Sequence, residues 1–155
     1  KQRMWSPITI HQPRYHLFER RAETEVLPTA TREGVGVIAF SPLAQGILTD
    51  RYLEGIPAGS RAATDPGNGG ISRAAVKPEV IAKVRLLHAI AQRRGQTMAQ
   101  MALAWVLKDP RVSSVLIGAS SPEQVQQNVG CLKNLQFSTN ELAEIDGICA
   151  STADH

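Results

Sequence analysis

An α/β fold of consecutive strand-to-helix units is what this sequence predicts, and three observations predict it. Three times a short apolar stretch runs into a polar corner and then into helical periodicity: Ile8 to Ile10 into HQPRY, VGVIAF (Val35 to Phe40) into SPLAQG, and SVLIGAS (Ser114 to Ser120) into SPEQ. In the third stretch Val115, Leu116 and Ile117 are contiguous, as expected of a parallel strand covered on both faces. The second stretch stops at Ser41-Pro42, where Pro42 has no N–H to give a ladder and its ring pushes Ser41 toward extended geometry. Parallel strands with helical crossovers occur in (β/α) barrels and in doubly wound sheets, and the residues themselves leave both open.

The elements follow in order. After the first strand, Ala22 to Arg32 reads as one helix with Gly34 as its stop, glycine being the residue that tolerates the left-handed end of a helix. Beyond the second strand, Gly55 to Gly70 is rich in Gly, Pro, Ser and Asn and reads as an irregular loop of the length that is usually functional or mobile. Glu79 to Arg94 places Val80, Val84, Leu87 and Ala91 on one helical face, with Arg93 and Arg94 suited to a helix end. From Thr97 to Leu107 a second helix aligns Met98, Met101, Ala102 and Trp105, a core stripe rather than a cofactor box. The third strand leads to Ser121 as N-cap, Pro122 at the first helical position and Gln124 three beyond the cap, a capping-box pattern. A last helix spans about Thr139 to Cys149, with Leu142 and Ile145 as its apolar positions.

All three strands read as inner strands, yet three strands cannot close a barrel. The expectation is therefore of exposed apolar surface and unpaired edges, completed by further structure from the same polypeptide or from another copy of the chain. The start at Lys1, without an initiator Met and almost directly in ordered-looking sequence, agrees with that expectation.

The 155 residues are 43% apolar and 20% charged, enough for one domain's core. Seventeen Lys and Arg against fourteen Asp and Glu give a formal +3 and a pI near 9.1, but the cations are scattered rather than gathered in a stripe, which argues against nucleic acid as a partner. No apolar run approaches the roughly 18 residues of a membrane span and no signal-like segment follows KQRMW, so the expected location is the cytoplasm. Cys131 and Cys149 lack a CxxC partner and read as reduced, partly buried thiols. His11 and His16 are poorly spaced for one metal, and no metal is expected.

Ligands of parallel α/β folds bind at the carboxyl ends of the strands. Here those ends are HQPRY, SPLAQG and GASS. Gly118, Ala119 and Ser120 keep bulk low before a capped helix, whose free N–H groups could receive an anion. A plain strand-to-helix turn explains GASSPEQ equally well. Neither GxGxxG nor GxxxxGK[ST] occurs, which argues against the common Rossmann and P-loop schemes.

HQPRYHLFER, then GVGVIAFSPLAQGILTDRYLEGIP with SRAA after it, then MAQMALAWVLKDPRVSSVLIGASSPEQVQQNVG, together resemble the carboxyl-terminal half of an aldo-keto reductase. The similar branch contains potassium-channel β subunits and bacterial L-glyceraldehyde 3-phosphate reductases. The resemblance runs from about Ile8 to Ile148. It implies the sixth to eighth strands of an NADPH-binding (β/α)8 TIM barrel, with residues 1–155 as its carboxyl-terminal part and the amino-terminal half absent. It implies contact of Gln12 with the nicotinamide amide and stacking of Phe40 on the nicotinamide ring. Ser41, Pro42, Leu43, Ala44, Gln45 and Gly46 would wrap the pyrophosphate, with Arg51 and Arg61 bordering the phosphates. Gly118, Ser120, Gln124, Gln127 and Asn128 would hold the adenosine end, Ser120 and Gln124 by the 2′-phosphate and Asn128 by the adenine. Relatives commonly carry Glu where this chain has Gln127, and GASSPEQVQQN has no Lys or Arg for the 2′-phosphate, so preference for NADP over NAD rests on Arg61 and the helix start.

In similar proteins carbonyl reduction by hydride transfer needs an Asp, Tyr, Lys and His from the first half of the barrel. None of that half is present, so no catalytic residue is assigned: Tyr15 and Tyr52 fall in other motifs, and His11, His16, His88 and His155 gain no role. The isolated chain is expected to be inactive. The implied substrate is a small aldehyde, such as methylglyoxal or glyceraldehyde 3-phosphate, and the implied assembly a homo-oligomer. The rival reading is a non-catalytic NADP(H)-sensing binding subunit similar to the potassium-channel β proteins. A phosphate-binding barrel isomerase is a weaker third.

Overall fold

The computed structural model describes residues 6–64 and 71–150. KQRMW, the latter part of the Gly55 to Gly70 loop and His155 lie outside the described residues. The sheet is parallel and three-stranded in the order β1 (Ile10–His11), β2 (Gly36–Ala39), β3 (Ser114–Val115). Ile10 stands opposite Gly36 and His11 opposite Val37, while Ile38 faces Ser114 and Ala39 faces Val115. Ladder-like bonds extend past these short pieces: Gly36 N–H donates to Thr9 O at 2.9 Å and Leu116 N–H to Ala39 O at 2.8 Å, and Phe40 bridges Arg14. A Cβ at Gly36 would meet Thr9 O at 3.4 Å and Ser113 Oγ at 3.5 Å, ordinary van der Waals contact between neighbouring strands.

Only β2 behaves as an inner strand, with Val37 and Ala39 buried. The expectation that all three strands are covered is corrected for the outer two. Ile8 is 72% exposed, Ile10 54% and Leu116 45%, because β1 and β3 are the two edges and nothing among the described residues lies beyond them. The predicted apolar surface and open edges are thus present.

The single helix expected from Ala22 to Arg32 is two, α1 (Arg21–Glu25) and α2 (Leu27–Glu33), meeting at Val26. Pro28 lies in the first turn of α2 and has no N–H to continue the ladder across the junction. Gly34 ends α2 at φ 68°, donating to Ala30 O and Thr31 O. A short α3 (Arg61–Thr64) interrupts the long loop. α4 (Pro78–Arg93) buries Ile81, Val84, Leu87, Ile90 and Ala91, a stripe slightly rotated from the predicted one since Val80 is only half-buried.

The core centres on α5 (Met98–Leu107), which is buried from Met101 through Val106 as well as at Met98. Trp105 packs on Tyr15 with ring centroids 5.3 Å apart, and the cations of Arg20 and Lys108 stand over it at 4.9 and 4.0 Å. α6 (Pro122–Val129) buries none of its residues fully, whereas α7 (Thr139–Ala150) packs on α4 through Ile145 and accepts Lys83 Nζ at Cys149 O, 3.2 Å away. Arg94 closes the carboxyl-terminal segment: its guanidinium lies 3.6 Å from the Phe137 ring centroid, pairs with Glu141 at 2.9 Å and donates to the Gln136 and Asn134 carbonyls. No helix among the described residues is long and apolar enough to cross a membrane.

Candidate functional site

Two of the three strand ends converge on one open cleft of about 780 Å3, within the size range of small-molecule sites. Its walls are the corner after β2, the loop through Gly59 and Arg61, the amino-terminal turn of α5, the segment after β3, and α6.

The corner after β2 is the most unusual backbone in the molecule. Ser41, Ala44 and Gln45 all have positive φ, at 54°, 48° and 58°, although none is glycine, and Gly46 follows at 103°. Left-handed backbone at non-glycine residues costs of order 1 kcal/mol or more each and concentrates at ligand-holding sites. Turn hydrogen bonds hold it: Ala44 N–H donates to Ser41 O at 2.9 Å, Gly46 N–H to Leu43 O at 2.9 Å, and Thr49 Oγ1 to Gly46 O at 2.7 Å. Ser41, Pro42, Leu43, Gln45 and Gly46 line the cleft, whereas Ala44 does not.

Arg51 and Arg61 also line it, and among the described residues neither forms an ion pair. Asp50 is the one carboxylate among the described lining residues, so the cleft carries a net positive charge. His88 on α4 brings Nδ1 within 2.8 Å of Asp50 Oδ1, without hydrogen-bond alignment. Sequence reasoning missed Thr49 and Asp50, which the adjacent Arg51 could have flagged, and also Thr97, Ala99, Leu116 and Ile117. Thr97 was legible as half of a capping box with Gln100, both halves of which are formed.

On the far wall, Gly118, Ser120, Gln124, Gln127 and Asn128 are brought together as expected. The start of α6 is not the open anion hole the sequence invited. Ser121 Oγ accepts from Gln124 N–H at 3.3 Å, while Gln124 Oε1 accepts from Ser120 N–H at 2.9 Å and Ser120 Oγ at 3.2 Å. The reciprocal half of the capping box therefore falls on Ser120 rather than Ser121. Glu123, whose carboxyl is held below its usual range by the Ser121 hydroxyl and its own N–H, adds a negative charge there. Nothing within 4 Å would obstruct a Cβ at Gly118, so the space above that backbone is open for a ligand rather than filled by the protein.

Gln12 and Phe40 are not brought into this cleft. Gln12 is exposed, and Phe40 lines a smaller cavity of about 430 Å3 beside α1, with the Arg14 guanidinium 5.5 Å from its ring centroid. Tyr15 is buried outside this cleft with its hydroxyl donating to Glu23 Oε1 at 2.8 Å, and burial and then the Glu23 carboxylate raise its pKa far above the usual phenol value. Among the described residues no group of three or more His, Cys, Asp or Glu could hold a metal ion.

The "Aldo/keto reductase family" model matches residues 1–150. The chain belongs to the aldo-keto reductase family. Among relatives of this chain, the L-glyceraldehyde 3-phosphate reductase of Escherichia coli (strain K12) is 52% identical over 148 residues, covering 93% of this chain and 42% of that protein. A protein of Arabidopsis thaliana named "Probable voltage-gated potassium channel subunit beta" is 43% identical over 122 residues, covering 77% of this chain and 37% of its own length. The chain thus spans less than half the length of the curated relatives it matches.

The chemistry of the cleft lining suits a nicotinamide dinucleotide in three respects: a net positive charge, a left-handed backbone corner, and amide side chains on α6. The filled capping interactions at Ser120 and Gln124 leave Arg51 and Arg61 as the cations available to phosphate.

Proposed function

We propose that this chain is the carboxyl-terminal part, residues 1–155, of an NADPH-dependent aldo-keto reductase. It contributes the sixth, seventh and eighth strands of a (β/α)8 barrel and most of the cofactor clamp. The observation that carries the reading is the cleft in which the strained SPLAQG corner, Arg51, Arg61 and the α6 amides face one another.

NADPH, when bound, supplies the hydride that reduces a carbonyl. This chain's residues bind and orient. The Ser41 to Gly46 corner presents main-chain groups to the pyrophosphate, and the exposed Arg51 and Arg61 offset its charge at the rim. Ser120 and Gln124 lie beside the 2′-phosphate, and the Gln127 and Asn128 amides offer acceptors and donors to the adenine. Phe40 provides the flat apolar face for the nicotinamide, and Gln12 reaches its amide. None of these groups moves a proton, so proton transfer belongs to residues outside this chain, and the isolated chain is inactive. A small aldehyde is the substrate class, in keeping with the reductase relative, and a homo-oligomer the assembly.

NADPH titration of the full-length protein by fluorescence tests the site. Phe40→Ala and Ser120→Ala should each weaken binding about tenfold, roughly the loss of a stacking contact or of a hydrogen-bonded partner. Unchanged affinity in both variants defeats the assignment.

The similarity to a potassium-channel beta subunit supports a second reading, an NADP(H)-sensing binding subunit without turnover. Aldehyde-dependent oxidation of NADPH by the full-length protein separates the two. Binding without turnover favours the sensor.

A further inference from the structure

Two walls of the cleft come from α5 and α6, which pack against each other, so their separation bears on the width of the cleft. Thr97 and Ala99 line it from the start of α5; Gln124, Gln127 and Asn128 line it from α6. One side chain spans the two. Gln100 Oε1 accepts from Thr97 N–H at 3.1 Å, closing the cap of α5, while its Nε2 donates to Gln127 O at 2.7 Å. That carbonyl belongs to the last turn of α6, where it also accepts the Gly130 N–H, so the Gln100 amide takes its second lone pair. Gly130 completes the fit. A Cβ at Gly130 would lie 2.5 Å from Gln100 Nε2, so a bare backbone is what lets the end of α6 approach the bridge.

We propose that Gln100 is a positioning residue that sets the width of the nucleoside end of the cleft by tying the last turn of α6 to the first turn of α5. The inference rests on the reading of α6 as the adenosine wall. It assigns no contact between Gln100 and the ligand: the amide acts through Gln127 and Asn128, whose side chains depend on where that turn stands.

The amide's two ends separate its two jobs. Gln100→Glu keeps an oxygen for the Thr97 N–H, since Glu serves in capping boxes as well as Gln, but replaces the donor facing Gln127 O with an acceptor. In the full-length protein the test compares binding of 2′,5′-ADP, of reduced nicotinamide mononucleotide and of NADPH. The expected result for Gln100→Glu is a loss of about tenfold in 2′,5′-ADP affinity, with the mononucleotide held within about twofold. Gly130→Ala, which pushes the amide off the carbonyl from the other side, should reproduce the pattern; if it does not fold, Gln100→Glu decides alone. Equal 2′,5′-ADP affinity in wild type and Gln100→Glu overturns the proposal, as does parallel weakening of both fragments, which marks general loosening. If the unaltered protein binds NADPH and neither variant is selective, only the role of Gln100 falls. If it binds neither NADPH nor either fragment, the dinucleotide reading fails and this inference with it.

Discussion

His16 shows how a single side chain is committed by its surroundings. It is 8% exposed, and its Nδ1 accepts the Phe18 N–H at 3.2 Å, which requires that nitrogen to be unprotonated. Burial first, and then the nearby Arg14 charge, push its pKa from the ordinary 6.5 down to about 4, against a smaller opposing pull from Glu19. Because the folded value is depressed, this contribution to stability is fully present above pH 6.5 and is lost as the pH falls toward 4, where the unfolded chain takes up a proton that the folded one refuses. Urea unfolding at pH 7 and pH 4.5 should show wild type losing about 2 to 3 kcal/mol more than His16→Gln over that interval; equal losses in the two proteins refute the neutral, buried assignment. In the sequence His16 was only one of two histidines near a strand end. Its state was illegible there because Phe18 N–H and the burial that fix it come from the corner's path.

At the scale of elements, the punctuation was legible and the joints were not. Gly34, Thr97, Ser121 and Ser138 each act at a helix end, and the residue types alone mark them. Gly34 offers a clean check, since a Cβ there would meet nothing within 4 Å and only its φ of 68° resists a side chain. Gly34→Ala should therefore lower the unfolding free energy by about 1 kcal/mol without altering the cleft, read from the urea midpoint alongside unchanged NADPH affinity. A stability equal to wild type shows that α2 ends otherwise. The break between α1 and α2 could have been read from Pro28, whose missing N–H was present in the residue type. The three left-handed residues of the β2 corner could not: Ser, Ala and Gln prefer other backbone, and only the turn bonds and packing around Ser41 to Gly46 hold them there.

For the whole molecule the open edges of the three-stranded sheet are the dominant fact. Ile8, Ile10 and Leu116 are exposed along the two edges, and Val125, Val129 and Leu132 form a further exposed apolar line at 45%, 53% and 57%. Contiguous apolar edges of this kind drive pairing with other chains. Sedimentation of the 155-residue chain alone should give species heavier than its 16.8 kDa, and Ile10→Lys with Leu116→Lys should shift it toward that mass; a monodisperse monomer before substitution contradicts this. Three βα units, their order, their helix caps and the family resemblance were determined by the sequence by itself, because periodicity, glycine, proline and capping residues act within a few positions of one another. Which strand is central, which of the marked residues share a cleft, that Gln12 and Phe40 stand apart from it, and that Gln124 has closed the start of α6 were decided only by tertiary structure. Those outcomes depend on contacts between residues tens of positions apart, and no local pattern encodes the distance between them.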